Sequence, residues 1–404
     1  MSDEARIPVI LAGSARTAVG RFLGGLAPLT APQLGALAVK AAVERSGINP
    51  QIIDEVILGH VLQAGVGQAP ARQAALGAGL SPMIPAVTIN KVCGSGLKAV
   101  MLAAQAIKAG DAQVVVAGGM ESMSNVPYYL RGLREGVKAG DQTAVDGMIH
   151  DGLWCAFGHC HMGGHAEYTA NKAGVARADA DAFALESHRR AIAAIDGGKF
   201  KGEIVPVEIQ GRKGTTVVDT DESPRRDTTL EALAKLKPAF AKDAPEGIAE
   251  LVVTAGNAPG LNDGAAALVV CSLAFARAHG LEVDARITGY AAGGGEPRDL
   301  FFAPVDAVQR LMKGAGTTVG DYGLIEVNEA FAVQALADQR ALGMDLERVN
   351  VHGGAVALGH PIGASGARVL VTLLAAMTDR KAATGLATLC LGGGNAVALS
   401  VERA

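Results

Sequence analysis

Aromatic residues are scarce in this chain: they make up 4% of its 404 residues, and there is a single Trp. An interior with so few large rings has to be filled by Ala, Val, Leu and Ile. It must also be closed by tight backbone approach, for which the 53 glycines provide the positions. That palette suits an α/β protein with buried strands. Long hydrophobic runs are missing too. No uninterrupted apolar stretch approaches the ~18 residues of a membrane-spanning helix, so no membrane span is expected. There is no excess of positive charge, with 36 Lys and Arg against 40 Asp and Glu. A net charge of -4 argues against a nucleic-acid partner, while leaving small phosphate-bearing ligands open. The five cysteines are an odd number, and Met1–Ile7 has no apolar leader, which speaks against a disulfide framework. The final Val-Glu-Arg-Ala matches no peroxisomal or lipidation tail. The expectation is a cytoplasmic protein with reduced thiols.

What is present reads as globular, with 49% hydrophobic and 19% charged residues over a length that suits two or three domain-sized units. Short apolar segments at residues 7–12, 56–58, 86–89, 114–117, 324–327 and 387–391 are strand candidates. Residues 33–45, 97–107 and 364–377 read as helices, the last almost wholly apolar with Arg368 as its only charge. The recurrent strand–helix–strand order predicts largely parallel sheets. Two stretches resemble one another: Ser95-Gly96-Leu97-Lys98-Ala99-Val100 and Ser365-Gly366-Ala367-Arg368-Val369-Leu370. Each opens a buried helix that leads to a strand and a Gly pair, at Gly118-Gly119 and Gly392-Gly393, as a duplicated half-domain would. Residues 122–247 differ in character. They hold the only Trp, most of the His and the polar loop Asp219–Thr229 ahead of a short helix, and they read as an insertion carrying substrate contacts or assembly surfaces.

Several residues can carry chemistry. Cys93, in Asn90-Lys91-Val92-Cys93-Gly94-Ser95-Gly96, lies between a strand and a helix N-terminus. There the helix dipole favours thiolate and free N–H groups can hold an oxyanion; the bland alternative is a small cysteine in a tight turn. His360, in a glycine-bounded loop before the second buried helix, can take a proton from a thiol or simply be hydrogen-bonded locally. Cys390, between a strand and Leu391-Gly392-Gly393-Gly394, can act on a carbon acid or be a buried structural thiol. Asn328, in Asn328-Glu329-Ala330-Phe331, can orient a water or a carbonyl, or serve only as an N-cap. Cys155, His159, Cys160, His161 and His165 crowd into one short stretch, but the paired spacing of a zinc finger is absent and no metal is expected.

Taken together in this order, these segments resemble the thiolase family over nearly the whole chain. The match includes Arg16-Thr17-Ala18, the 117–124 run Ala-Gly-Gly-Met-Glu-Ser-Met-Ser, Thr254-Ala255-Gly256-Asn257, Asn262-Asp263-Gly264-Ala265-Ala266 and the 359–368 run Gly-His-Pro-Ile-Gly-Ala-Ser-Gly-Ala-Arg. The resemblance implies an α/β, five-layered α-β-α-β-α core of two duplicated halves with an inserted loop domain. The halves would be residues 1–121 with 248–273, and residues 274–404; the loop domain would be 122–247. It implies that Cys93 accepts the acyl group, that His360 activates it, and that Cys390 exchanges the proton at the substrate α-carbon. The thioester oxygen would be held by Asn328 with a water and His360, and by the N–H groups of Cys93 and Gly392. The implied reaction is ping-pong condensation of two acetyl-CoA to acetoacetyl-CoA, or its reverse, with coenzyme A thioesters as substrates and no prosthetic group or metal.

By the same resemblance, Leu153, His161, Met162 and Arg225 stand near coenzyme A or the acyl pocket, Ala255, Ala330 and Phe331 line the pantetheine tunnel, and Pro259 occupies a coenzyme A-contacting position. The His161-Met162 pair resembles the short-chain type. A broader 3-oxoacyl-CoA thiolase is the alternative; a non-catalytic CoA- or lipid-binding relative would lack Cys93, His360 or Cys390, and all three are present. Condensing synthases that use carrier-protein thioesters tend to have a histidine pair instead of the second cysteine. The chain departs from the family pattern at Pro259, where a serine is common, at His352, at Leu300-Phe301-Phe302, and in a longer connection over 244–251. Relatives are dimers or tetramers, so self-association is expected.

Overall fold

The computed structural model describes residues 8–404 except Lys213. The expected strand start at Ile7 therefore lies outside the described residues, and the strand runs Val9–Thr17. The strand Leu324–Val327 and the strand Ala86–Ile89 have the expected bounds. Others extend further, as with Val114–Ser122, which carries on through Gly118 and Gly119. Those glycines have a packing reason. A Cβ on Gly118 would collide with the Ala266 carbonyl of the neighbouring strand, and one on Gly119 with the Gly363 carbonyl of the second half.

The core strands form one mixed sheet of eleven strands, with three two-stranded sheets beside it among the described residues. In the first half the order across it is Ala86–Ile89, Glu55–Gly59, Val114–Ser122, Asn262–Ser272, Val9–Thr17. The second half continues with Ala285–Gly294, Asn395–Arg403, Thr384–Leu391 and Leu324–Val327, beyond which Val349 forms a single parallel bridge to Ile325. Read in chain order within each half, the two sequences of strands are the same, as the repeated Ser-Gly motif suggests. The expectation of largely parallel pairing is corrected. Parallel ladders occur at the flanks, where helices make the crossovers, and at a short edge pairing of Ile204–Val205 with Arg16 and Thr17. The centre is antiparallel. There, Asn262–Ser272 returns from the long insertion in the opposite sense, and Thr384–Leu391 turns back into Asn395–Arg403 through Gly393 and Gly394, both at positive φ.

Two helices, Ser95–Ala109 and Ile362–Arg380, pack against each other and against strands of both halves, forming the central layer. The helix Ala31–Ser46 covers one outer face and Ala303–Ala315 the other. The central helices touch where the repeated motif stands. A Cβ on Gly96 would lie 2.6 Å from the Ala367 nitrogen, and one on Gly366 would lie on the Leu97 nitrogen. Only glycine permits that approach, which brings the two helix N-termini together. Ile362–Arg380 is long and apolar enough to cross a membrane by composition alone, but 83% of its most apolar window is buried inside the protein. The region 122–247 supplies the helices Met162–Ala173 and Arg177–Asp196, a hairpin from Val207 to Val218, and the expected short helix Leu230–Ala234 capped by Thr229. It is tied to the core by Arg16, fully buried, which donates to Glu203 at 2.6 Å and to both oxygens of Asp221 at 2.7 and 2.9 Å.

Candidate active site

The N-terminal end of the Ser95–Ala109 helix positions Cys93. Val92, just before it, has φ +47°, a strained conformation for a β-branched residue. Local bonds hold it there. Asn90 Oδ1 accepts the Val92 N–H at 2.9 Å, and Ser95 Oγ donates to the Val92 carbonyl at 2.6 Å while accepting the Lys91 N–H at 2.8 Å. Gly94 leaves no room for a side chain, since a Cβ would lie 2.7 Å from Leu391. The turn therefore presents the Cys93 sulfur beside the Leu391–Gly392 loop. The N–H groups of Cys93 and Gly392 both act on that sulfur.

The second half contributes His360 and Cys390. The His360 loop is pinned by buried groups. Asn262 Oδ1 accepts the His360 N–H at 2.8 Å, and a side chain on Gly359, at φ +107°, would collide with Asn262. Glu329 accepts from Ser187, Asn350 and the Val356 N–H on one side of the loop. Glu121 accepts from Val61, Leu62 and Gly363 N–H on the other. Ser365 Oγ donates to the Pro361 carbonyl at 2.9 Å, so its lone pair receives Nδ1–H of His360 at 2.6 Å. This assigns the proton of the neutral imidazole to Nδ1 and leaves Nε2 as the acceptor. Asn328 is fully buried behind the ring, with Nδ2 3.4 Å from Nε2 and Oδ1 unpartnered. It is not the N-cap of the following helix, which begins at Ala332 with Phe331 at the cap.

Burial sets the protonation states. It pushes the Cys93 thiol up to about 12, outweighing the two N–H groups that favour thiolate. The helix-end stabilisation expected from the sequence is thus overridden by desolvation. Burial, aided by the Arg368 charge, lowers His360 to about 3, so the imidazole is neutral. Cys390 is raised well above the ordinary thiol range by burial and then by Cys93 nearby. The resting site is a neutral base with two protonated thiols.

Cys93, His360, Cys390 and Gly392 share one cavity of about 370 Å³, of a size suited to small-molecule sites. Leu153, His161, Met162 and Arg225 line it as well, and so do Ala255, Pro259, Ala330 and Phe331. Asn328 alone among the sequence-derived candidates stands behind the wall. His161 caps the helix Met162–Ala173 by accepting the Gly163 N–H at 3.1 Å, and its ring stacks on Phe240 at 4.7 Å. Phe331 meets Phe240 and Phe301 edge-on at 6.1 and 5.4 Å, making an aromatic wall. Phe240, Ser365 and Glu121 were not singled out for the site from the sequence, and Phe301 only as part of the departing segment 300–302 near the pantetheine. Ser365 had a signal, in that it stands five residues after His360 on the helix that follows. His352 lies away from the cavity, buried with Nε2 3.2 Å from Asp379. Among the described residues no group of three His, Cys, Asp or Glu side chains is arranged to hold a metal ion.

Family models for the thiolase N-terminal domain and the thiolase C-terminal domain match residues 9–274 and 281–403. The chain is 55% identical over 396 residues to an acetyl-CoA acetyltransferase of Pseudomonas aeruginosa, covering 98% of this chain and 99% of that one. It is 54% identical over the same length and coverage to the enzyme of that name from Cupriavidus necator. Among solved structures, the Bacillus anthracis acetyl-CoA acetyltransferase superposes with a TM-score of 0.95 at 41% identity, covering 99% of both chains. With its duplicated mixed-sheet core and a cavity built from both halves, the chain belongs to the thiolase family.

Proposed function

We propose that this chain is an acetyl-CoA C-acetyltransferase that joins two acetyl-CoA into acetoacetyl-CoA and free coenzyme A, and runs the reverse thiolysis. The observation that carries the reading is the convergence of Cys93, His360 and Cys390, from two halves of the chain, on one largely apolar cavity. The protonation states support a balanced route. His360 Nε2 takes the Cys93 proton as the sulfur attacks the acetyl carbonyl. Cys390 gives its proton to the departing coenzyme A thiolate. That leaves an imidazolium and a Cys390 thiolate, the base needed next. The thiolate removes an α-proton from the second acetyl-CoA, and the carbanion attacks acetyl-Cys93. Its carbon–sulfur bond breaks, and the released Cys93 thiolate recovers its proton from His360. The developing oxyanion on Cys93 is met by the N–H groups of Cys93 and Gly392. Asn328, behind His360, would answer the imidazolium with its unpartnered Oδ1 after an amide flip.

Leu153, His161, Arg225, Ala255 and Pro259 would carry coenzyme A. Pro259 has no N–H or hydroxyl to donate, so it offers coenzyme A no hydrogen-bond donor. Met162 with the Phe240–Phe331–Phe301 wall would limit the acyl group to short chains. Division of the chain into 1–121 with 248–273, 122–247 and 274–404, a homodimer or tetramer, and a cytoplasmic location belong to the same reading.

The test is coenzyme A-dependent thiolysis of acetoacetyl-, 3-oxohexanoyl- and 3-oxooctanoyl-CoA by wild type and Cys93→Ala. Turnover of acetoacetyl-CoA only, lost in the variant, supports the acetyltransferase. Comparable rates on the longer chains would replace it with a broad-chain thiolase, and no turnover would end the enzymatic reading.

A further inference from the structure

Apart from His161, which lines the cavity, the cysteine–histidine cluster of residues 155–165 takes no part in the proposed reaction, yet it has a geometry of its own. Trp154–Cys155 and Cys160–His161 form a short antiparallel hairpin in which Cys155 is the direct cross-strand partner of Cys160. Directly opposed residues point their side chains to one face, with α-carbons about 4.5–5.5 Å apart, inside the span a disulfide bridges. The turn between them gathers three reactive groups around Gly158. Its N–H donates to Cys155 Sγ at 3.2 Å. A Cβ placed on it would lie 3.5 Å from Cys160 Sγ and 2.9 Å from His165 Nε2. His165 is 5% exposed, and its Nε2 has no hydrogen-bond partner among the described residues. Both thiols are free, with Cys155 buried and Cys160 partly exposed.

We infer that Cys155 and Cys160 are a dithiol that hydrogen peroxide converts to a reversible disulfide, with Cys160 attacking first and His165 taking its proton. Cys160 is the sulfur solvent reaches, and Cys155 is the sheltered resolving partner. Burial, with Cys155 and Asp243 close by, raises the Cys160 thiol, so a local base is needed to expose the nucleophile. The attack forms an S–O bond, breaks the peroxide O–O bond and releases water. Cys155 sulfur then displaces the hydroxyl of the sulfenic acid, forming S–S and releasing a second water. Two electrons pass from the thiol pair to the peroxide, and an external dithiol returns them. The site adjoins the catalytic cavity. Leu153, just before the hairpin, and His161, in its second strand, line it, and the Phe157 ring in the turn covers Gly393, with 3.3 Å to a Cβ placed there.

The experiment treats whole Cys93→Ala protein, in which the acyl-accepting thiol cannot compete, with peroxide, then alkylates and maps the peptides by mass. A fragment joining Cys155 to Cys160, lighter by two hydrogens and undone by dithiothreitol, is expected. Adding Cys160→Ser should abolish it, and adding His165→Asn should slow its formation at least fivefold. Cys160→Ser in the wild-type background should keep thiolysis within twofold, which shows that the fold survives. Both cysteines remaining alkylatable, or linkage only between two chains, would overturn the inference.

Discussion

Ser365→Ala is the most informative perturbation of the candidate site. Ser365 is fully buried, is absent from the cavity wall, and touches the reaction only through the 2.6 Å bond from His360 Nδ1. Its removal leaves a buried N–H without an acceptor, which costs about 1–3 kcal/mol. The ring can lessen that cost by moving its proton to Nε2. That tautomer cannot accept the Cys93 proton, so the price is taken in the chemical step. At about 1.4 kcal/mol per decade, kcat should fall roughly 5- to 150-fold. KM for acetoacetyl-CoA should stay within twofold, because no substrate contact is lost. Steady-state thiolysis gives the split between kcat and KM, and rapid-quench acetylation of Cys93 should slow in parallel. Ser365→Thr keeps the oxygen and should recover most of the rate. A folded Ser365→Ala enzyme with kcat within twofold of wild type would refute the assignment of Nε2 as the base through this bond. So would a loss carried entirely by KM.

Phe301→Leu opens the aromatic wall, and the ratio of kcat/KM for 3-oxohexanoyl- to acetoacetyl-CoA should rise about tenfold; an unchanged ratio in a folded variant would remove Phe301 from the acyl pocket. Gly366→Ala puts a methyl on the Leu97 backbone at the helix crossing, and the melting temperature should drop by several degrees, reflecting about 3 kcal/mol of overpacking; a melting point within a degree of wild type would contradict the crossing. His188 accepts the Arg225 N–H at 3.1 Å and is lowered to about 4 by burial and then by Arg225. Its folded value lies below the unfolded 6.5, so its contribution to stability is present above pH 6.5 and is lost as pH falls towards 4. Denaturant unfolding should therefore show His188→Gln gaining about 2 kcal/mol relative to wild type between pH 7 and pH 5; a pH-independent difference would mean the histidine is not held neutral.

The sequence by itself determined the parts whose signals are local. Periodicity marked the two buried helices and most core strands, glycine-rich segments flagged Cys93, His360 and Cys390 as candidates, and the family resemblance supplied their roles. The repeated Ser-Gly motif foretold a duplication that reappears in the strand order. Twelve of the thirteen site residues that the family resemblance implied stand on one cavity wall. Tertiary structure alone decided the rest. Whether Cys93 rests as thiol or thiolate depends on a balance between a helix end, which the sequence displays, and desolvation by side chains from distant segments, which it does not. The mixed sense of the sheet follows from the path taken after a long insertion and from a Gly393-Gly394 reversal, neither of which periodicity reports. The placing of Asn328 behind His360, and the glutamates that brace the His360 loop from opposite sides, are contacts between remote parts of the chain. Local sequence specifies which groups can form; desolvation and long-range pairing, which exist only once the chain has folded, specify their charge and their partners.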